Sequence, residues 1–366
     1  MPLTLLYPDA LSSAPEDAPT GWPVGEPRLG PAASRFTSPA EATRRIASVA
    51  PLLARSGPPL GVSPQTSDSQ VLPLESGLEL WIRRVFKLHT NAGVGACAAL
   101  PHGARPGGLI VRPVHLHAAR DHLVLWPPEA LALGEQDAAA LCDAACAWLR
   151  DEPIRLRQLS ATLWELSETD PGATGFQGLL AASSSRARGR NIDLWLPKGP
   201  PARAWRRLMN EVQMLWHSHP INEHRASLGQ HPVNALWLEG NVPLEAHRAF
   251  DVIASENPLL IGLAALSGAT LMTAAEALAR CKASPESHSL IDLGAPASPE
   301  SDREPSEGSP LTSSLGQARM RAALAEIVLT GENGAQCFRW RPSARWKLWR
   351  TQPRADWLYD PPVHLN

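Results

Sequence analysis

The chain has 366 residues, 44% of them hydrophobic and 19% charged, with 36 prolines and 26 glycines; this is room for two domains with many loops around an ordered core. A formal charge of −2 excludes a nucleic-acid protein driven by global charge, and five scattered cysteines exclude a disulfide framework and fit a reducing cytosol. No apolar stretch approaches the roughly 18 residues a spanning helix needs, and Met1–Tyr7 lacks a basic leader, so the expectation is a cytoplasmic protein with no membrane partner.

In chain order, Thr4–Tyr7 reads as a first strand that stops at Pro8-Asp9. Residues 12–39 are rich in Pro, Ser, Gly and Ala and read as a long loop, followed by a helix over 39–54 and a connector over 56–76. Leu78–Leu88 carries Trp81, Ile82, Val85 and Phe86 at helical spacing. Leu109–His117 and Leu123–Trp126 read as strands paired around residues 118–121, and Pro127–Leu149 reads as a helix. Strands follow at 155–159 and 162–167. The clearest helix runs over Pro201–His217, with Trp205, Leu208, Met209, Val212, Leu215 and Trp216 on one stripe. The residue before Pro220 is forced out of helical geometry, so the helix stops there. A short helix over 222–228, a strand over 233–238, helices over 250–266 and 273–282, and a strand over 289–293 follow. Residues 296–316 are polar and read as a linker, and a hairpin joins 325–329 to 336–340. Strands and helices alternating in this way imply an α/β fold, a mixed sheet flanked by helices. The expected regions are 1–76, 77–295, the linker 296–316 and a C-terminal part 317–366.

Three groups of side chains stand out. Arg206, Asn210, Gln213 and His217 are spaced four, three and four apart along one edge of a helix, an edge suited to a phosphate or carboxylate or to a plain polar boundary. Beyond it lie His217, His219, His224 and His231 in fifteen residues; there is no HExxH, and a proline after His219 turns the chain, so the spacing speaks against zinc. His115 and His117 share one face of a strand with Asp121 close by, which fits a mononuclear metal site or ordinary strand-edge histidines. The C-terminal run Arg339–Arg350 interleaves tryptophans with basic residues, a pattern of single-stranded nucleic-acid or acidic-partner binding as well as of core packing with a basic rim.

Several motifs in order resemble a known family. Asn210, His219-Pro220, Asn222, Arg225, Gly229, Pro232 and Asn234, followed by an apolar strand, resemble the cap region of archaeal-type cofactor-independent phosphoglycerate mutases. Leu166–Pro171 resembles that family's Asp-Thr-Asp-Pro segment. Closer still is a group of proteobacterial phosphoglycerate mutase-like proteins labelled "regulatory protein, RpfE type". Its motifs are matched by Arg112-Pro-Val-His115-Leu with Arg120-Asp121, and by Asn210-Glu-Val-Gln-Met-Leu with His219-Pro-Ile-Asn222.

The resemblance implies a degenerate alkaline-phosphatase-like core carrying a cap-like α/β segment over 190–240. It also implies, in the active family, a serine nucleophile and two divalent metals held by Asp and His. Asp9 and Asp292 follow strands and are the metal candidates. No Asp-His pair follows Asp292, however, so half of that ligand set is missing. The leading reading is a non-catalytic mutase-like protein with a regulatory or small-anion-binding role and no cofactor. Its ligand would be a small phosphorylated or carboxylate molecule, with a protein partner possible, held by Arg206, Asn210, Gln213, His219, Asn222, Arg225 and Asn234. The alternatives are an active mutase or phosphatase using Mn or Zn, and an adaptor acting through the basic–Trp segment. If no anion binds, the same Asn and Arg residues are expected to tie the His-Pro turn to the helix end.

Overall fold

The computed structural model describes residues 3–7, 60–62, 65–66, 74–170, 172–176, 179–283, 287–293, 324–330, 335–339 and 364–365. They fall into two compact units. One contains the described residues up to Lys87 and from Ala246 onward, and the other runs from Leu88 to Glu245. The second is therefore inserted into the first, and the stretch 77–295, taken as one region from sequence, contributes to both.

The first unit is built on a seven-stranded sheet. Its strands are β1 (Leu3–Tyr7), β2 (Leu60–Val62), β10 (Val252–Ala254), β11 (Thr270–Leu271), β12 (Ser289–Asp292), β13 (Leu324–Thr330) and β14 (Ala335–Arg339), in the order β11-β10-β12-β1-β13-β14-β2. The five strands from β11 to β13 run parallel, and β14 and β2 add an antiparallel edge. Parallel strands covered on both faces need continuous apolar runs, and Leu3, Leu5, Leu6, Leu290, Ile291, Ile327 and Val328 are all buried. A two-residue pair, β3 (Gln65–Thr66) with β15 (His364–Leu365), lies apart from this sheet.

Helix α1 (Gly77–Val85) starts with a capping box in which Ser76 N donates to Glu79 Oε2 at 2.7 Å and Glu79 N donates to Ser76 Oγ at 3.4 Å. Helices α6 (Pro258–Ser267) and α7 (Ala274–Ala283) complete the unit.

The second unit holds a four-stranded antiparallel sheet of β4 (Leu109–Val114), β7 (Ile154–Ser160), β8 (Leu163–Glu168) and β9 (Ala235–Asn241), in the order β7-β8-β4-β9. A separate hairpin joins β5 (Leu116–Ala118) to β6 (Leu123–Leu125). Its helices are α2 (Glu135–Trp148), α3 (Ser184–Ala187), α4 (Ala202–His217) and α5 (Pro220–Ser227).

The apolar stripe read from sequence buries Trp205, Leu208, Met209, Val212 and Trp216 of α4. Trp216 meets Trp164 edge-on at 5.8 Å, and its Nε1 donates to Leu141 O at 3.1 Å. One buried indole thereby fastens α4 to both the sheet and α2.

Two helical expectations are corrected. Residues 250–266 are not one helix: Val252–Ala254 forms a strand, and α6 begins only at Pro258, where Asn257 caps by accepting from Leu259 N at 3.0 Å. Asn followed by Pro at the first helical position is a start signal that the apolar run on either side obscures. The stretch 127–149 is likewise a 3-10 turn over Pro128–Leu131 and then α2. The expected helix over 39–54, the loop over 12–39, the linker over 296–316 and the bulk of the C-terminal basic–Trp run lie outside the described residues. Among the described residues no helix is long and apolar enough to cross a membrane.

Candidate metal centre

Strand β4 pairs with β9 in antiparallel register, Val114 opposite Ala235, so the residues after Val114 lie beside those before Ala235. Side chains stitch these two segments together. The Asn234 amide accepts from Leu116 N at 2.7 Å and donates to Leu116 O at 2.9 Å, standing in for one more ladder pair. Asn222 accepts from Val233 N and donates to Val233 O and Trp216 O, each at 2.8 Å. Arg225 is buried and donates from Nε to His231 O at 2.9 Å and from Nη2 to Leu131 O at 2.5 Å, with Asp137 4.0 Å from its Nη1. His219 caps α5, its Nδ1 accepting from Ile221 N at 3.3 Å. The polar residues of the His-Pro stretch thus hold the 231–234 loop against 114–116.

That frame brings three imidazoles together. His115 and His117 alternate along the extended chain and share a face, and the loop lays His231 onto them. The His115 and His231 rings stack at 4.7 Å and 24°, His117 lies 5.9 Å from His115 and 6.1 Å from His231, and Trp126 closes the group with its ring 4.0 Å from His231. One ligand atom from each histidine lies within 4.8 Å of those of the other two, the only set of three or more such side chains among the described residues. His115 is buried, and His117 and His231 are half-buried.

The protonation state follows from the surroundings. His115 Nδ1 shares a hydrogen bond with Pro232 O at 2.9 Å; a carbonyl only accepts, so the ring carries its proton on Nδ1 and leaves a lone pair on Nε2. That Nε2 is shielded from solvent and has no hydrogen-bond partner. Burial first, and then the neighbouring His231, pull the His115 pKa down to about 4, with the Pro232 hydrogen bond opposing. His231 is also lowered, by burial, then by His117 and Arg225. Near neutral pH both rings are therefore neutral, each with one protonated nitrogen and one nitrogen that carries a lone pair. A carbonyl-bound imidazole with its other nitrogen free is the arrangement by which proteins orient a metal-binding histidine. Zn–N bonds of about 2.0–2.1 Å require nitrogens about 3.3 Å apart in a tetrahedron, closer than the 4.8 Å that bounds the three ligand atoms here.

The other sequence candidates are placed differently. Arg206, Asn210 and Gln213 lie exposed along α4, whereas Asn222 and Arg225 are buried and Asn234 half-buried, bonded to backbone. Asp121 is exposed and meets His122 at 2.6 Å instead of joining His115 and His117. Asp292, at the end of β12, accepts from Ser255 Oγ at 2.6 Å and belongs to no set of three metal-capable side chains among the described residues. Asp9 lies outside the described residues. From sequence His231 is weighed for zinc with His217, His219 and His224 and set aside on their spacing, not joined to His115 and His117 as here; Trp126 goes unassigned. The signal for His231 was a His-Pro pair just ahead of the strand that pairs with His115's strand; nothing marked Trp126.

No known protein family and no curated protein sequence matches the chain. Among solved structures, the chain is similar to the cofactor-independent phosphoglycerate mutase of Thermoplasma acidophilum DSM 1728, at 16% identity over 92% of this chain and 88% of that one, with a TM-score of 0.40. It is also similar to the PH0037 protein of Pyrococcus horikoshii, at 15% identity over 92% and 85%, with a TM-score of 0.42.

Proposed function

We propose that this protein binds one divalent transition-metal ion of the zinc class through His115, His117 and His231, and that it serves as a mutase-like regulatory binding protein without phosphoryl-transfer activity. The observation that carries the metal reading is the buried, unpartnered Nε2 of His115, oriented by the Pro232 carbonyl and grouped with two further imidazoles. A buried acceptor left without a partner is costly, and an ion would supply that partner. The donor set decides the class. Three imidazole nitrogens and no carboxylate suit zinc, copper or nickel and not magnesium or calcium, which demand oxygen. The regulatory, non-catalytic part rests on the sequence motifs that resemble those of the RpfE-type group and on the absence of an Asp-His pair after Asp292 in the sequence.

Competition of metal-free protein against a chromophoric zinc chelator tests the first part. One equivalent of zinc is expected, with His115→Ala, His117→Ala and His231→Ala each weakening binding by about 100-fold or more. Wild-type binding no tighter than in these variants, with folding checked by circular dichroism, would sink it. Turnover of 3-phosphoglycerate by the wild type with added zinc or manganese would sink the second part.

A further inference from the structure

A second buried polar atom of the same cluster has no partner: the indole Nε1 of Trp126. Its ring lies 4.0 Å from His231, 5.8 Å from His117 and 6.1 Å from His115. The two orphans are opposite in kind, His115 Nε2 being an acceptor and Trp126 Nε1 only ever a donor. They do not bond to each other. A metal ion satisfies the acceptor and leaves the donor wanting. Three protein nitrogens also leave the fourth corner of a tetrahedral ion open. No carboxylate or thiolate belongs to the ligand set, so the ion would bring two positive charges into a group of imidazoles with no anionic ligand. The Arg225 guanidinium is near enough to be felt electrostatically by both His115 and His231, while its own counterion, Asp137, lies 4.0 Å from it on Nη1. Charge and hydrogen bonding therefore call for the same thing, a negatively charged acceptor.

We infer that the metal's fourth position receives a small oxyanion, a carboxylate or phosphate group, and that the Trp126 N–H orients it. This rests on the metal reading above. It moves the anion-binding role away from the exposed edge of α4 and onto the histidine cluster. Trp126 is a positioning residue here: it neither ligates the ion nor reacts.

Cobalt(II)-substituted protein tests the inference, because four-coordinate cobalt absorbs visibly and responds to exchange of its fourth ligand. The cobalt spectrum is expected to shift saturably with acetate, inorganic phosphate or 3-phosphoglycerate, and the order of affinities tells a carboxylate from a phosphate ligand. Trp126→Phe should keep cobalt binding and lose about tenfold in anion affinity, the cost of one hydrogen bond to a charged acceptor. In zinc-loaded wild type, one indole N–H proton resonance should move on adding the tightest of these anions, a readout that needs no variant. Absence of any cobalt spectrum means the metal reading itself has failed and takes this inference with it. A cobalt spectrum indifferent to all three anions, an unaltered anion affinity in Trp126→Phe, or unmoved indole resonances overturns the inference and leaves the metal site standing.

Discussion

Two polar stretches lie close together in sequence and share residue types, yet they meet opposite fates. On α4, Arg206, Asn210 and Gln213 face solvent. A few residues on, Asn222, Arg225 and Asn234 are drawn in, and every bond described for them but the Asp137 contact goes to a main-chain atom. An amide or guanidinium that binds backbone inside a protein is a frame member. It fixes where a loop lies, and here the loop carries His231. Among the described residues, no hydrogen bond ties the exposed edge to a loop.

The contrast is sharpest at Arg225. Removing it leaves the carbonyls of His231 and Leu131 without their donor and opens a cavity, so Arg225→Ala should cost about 3–5 kcal/mol in urea unfolding; a loss below about 1 kcal/mol would erase the distinction. Next comes pH. His115 titrates near 4 in the fold against about 6.5 in an unfolded chain, so the unfolded state binds the extra proton between those values. The His115 contribution should be flat above about pH 6.5 and stability should fall by about 3 kcal/mol on descending to pH 4. His115→Phe should flatten that slope, and an unchanged slope would show that other groups cause it. Asn234→Ala breaks two bonds to Leu116 and should cost about 1–3 kcal/mol, with zinc affinity falling about tenfold or more as the loop loosens. Smallest is the combined change of Arg206, Asn210 and Gln213 to Ala, expected within about 0.5 kcal/mol of wild type and silent in zinc binding. A zinc defect there would restore the α4 edge to the site.

Much of this was legible in the chain. The α4 stripe, the stop before Pro220, the β5–β6 hairpin and the β13–β14 hairpin follow from local periodicity and turn chemistry, which act over a few residues. The strand at Val252–Ala254 was hidden because it and α6 are both continuously apolar, and period alone cannot separate a buried strand from a buried helix. At the site, His115 and His117 were readable as two residues on one strand face. Their third partner was not, because His231 reaches them only through the β4–β9 register, a non-local pairing that no spacing rule encodes. Spacing likewise gave the α4 edge its alignment but not its exposure, which depends on what covers the other faces of the helix.

The hydrogen bond from His115 to Pro232 joins residues 117 apart in sequence. Closing a loop of that length costs chain entropy before any contact rewards it. The β5–β6 hairpin, by contrast, closes over a handful of residues. The histidine cluster therefore exists only where the 231–234 loop is docked against 114–116. An ion held by all three imidazoles would tie the loop that carries His231 to the strand region that carries His115 and His117, two segments more than a hundred residues apart.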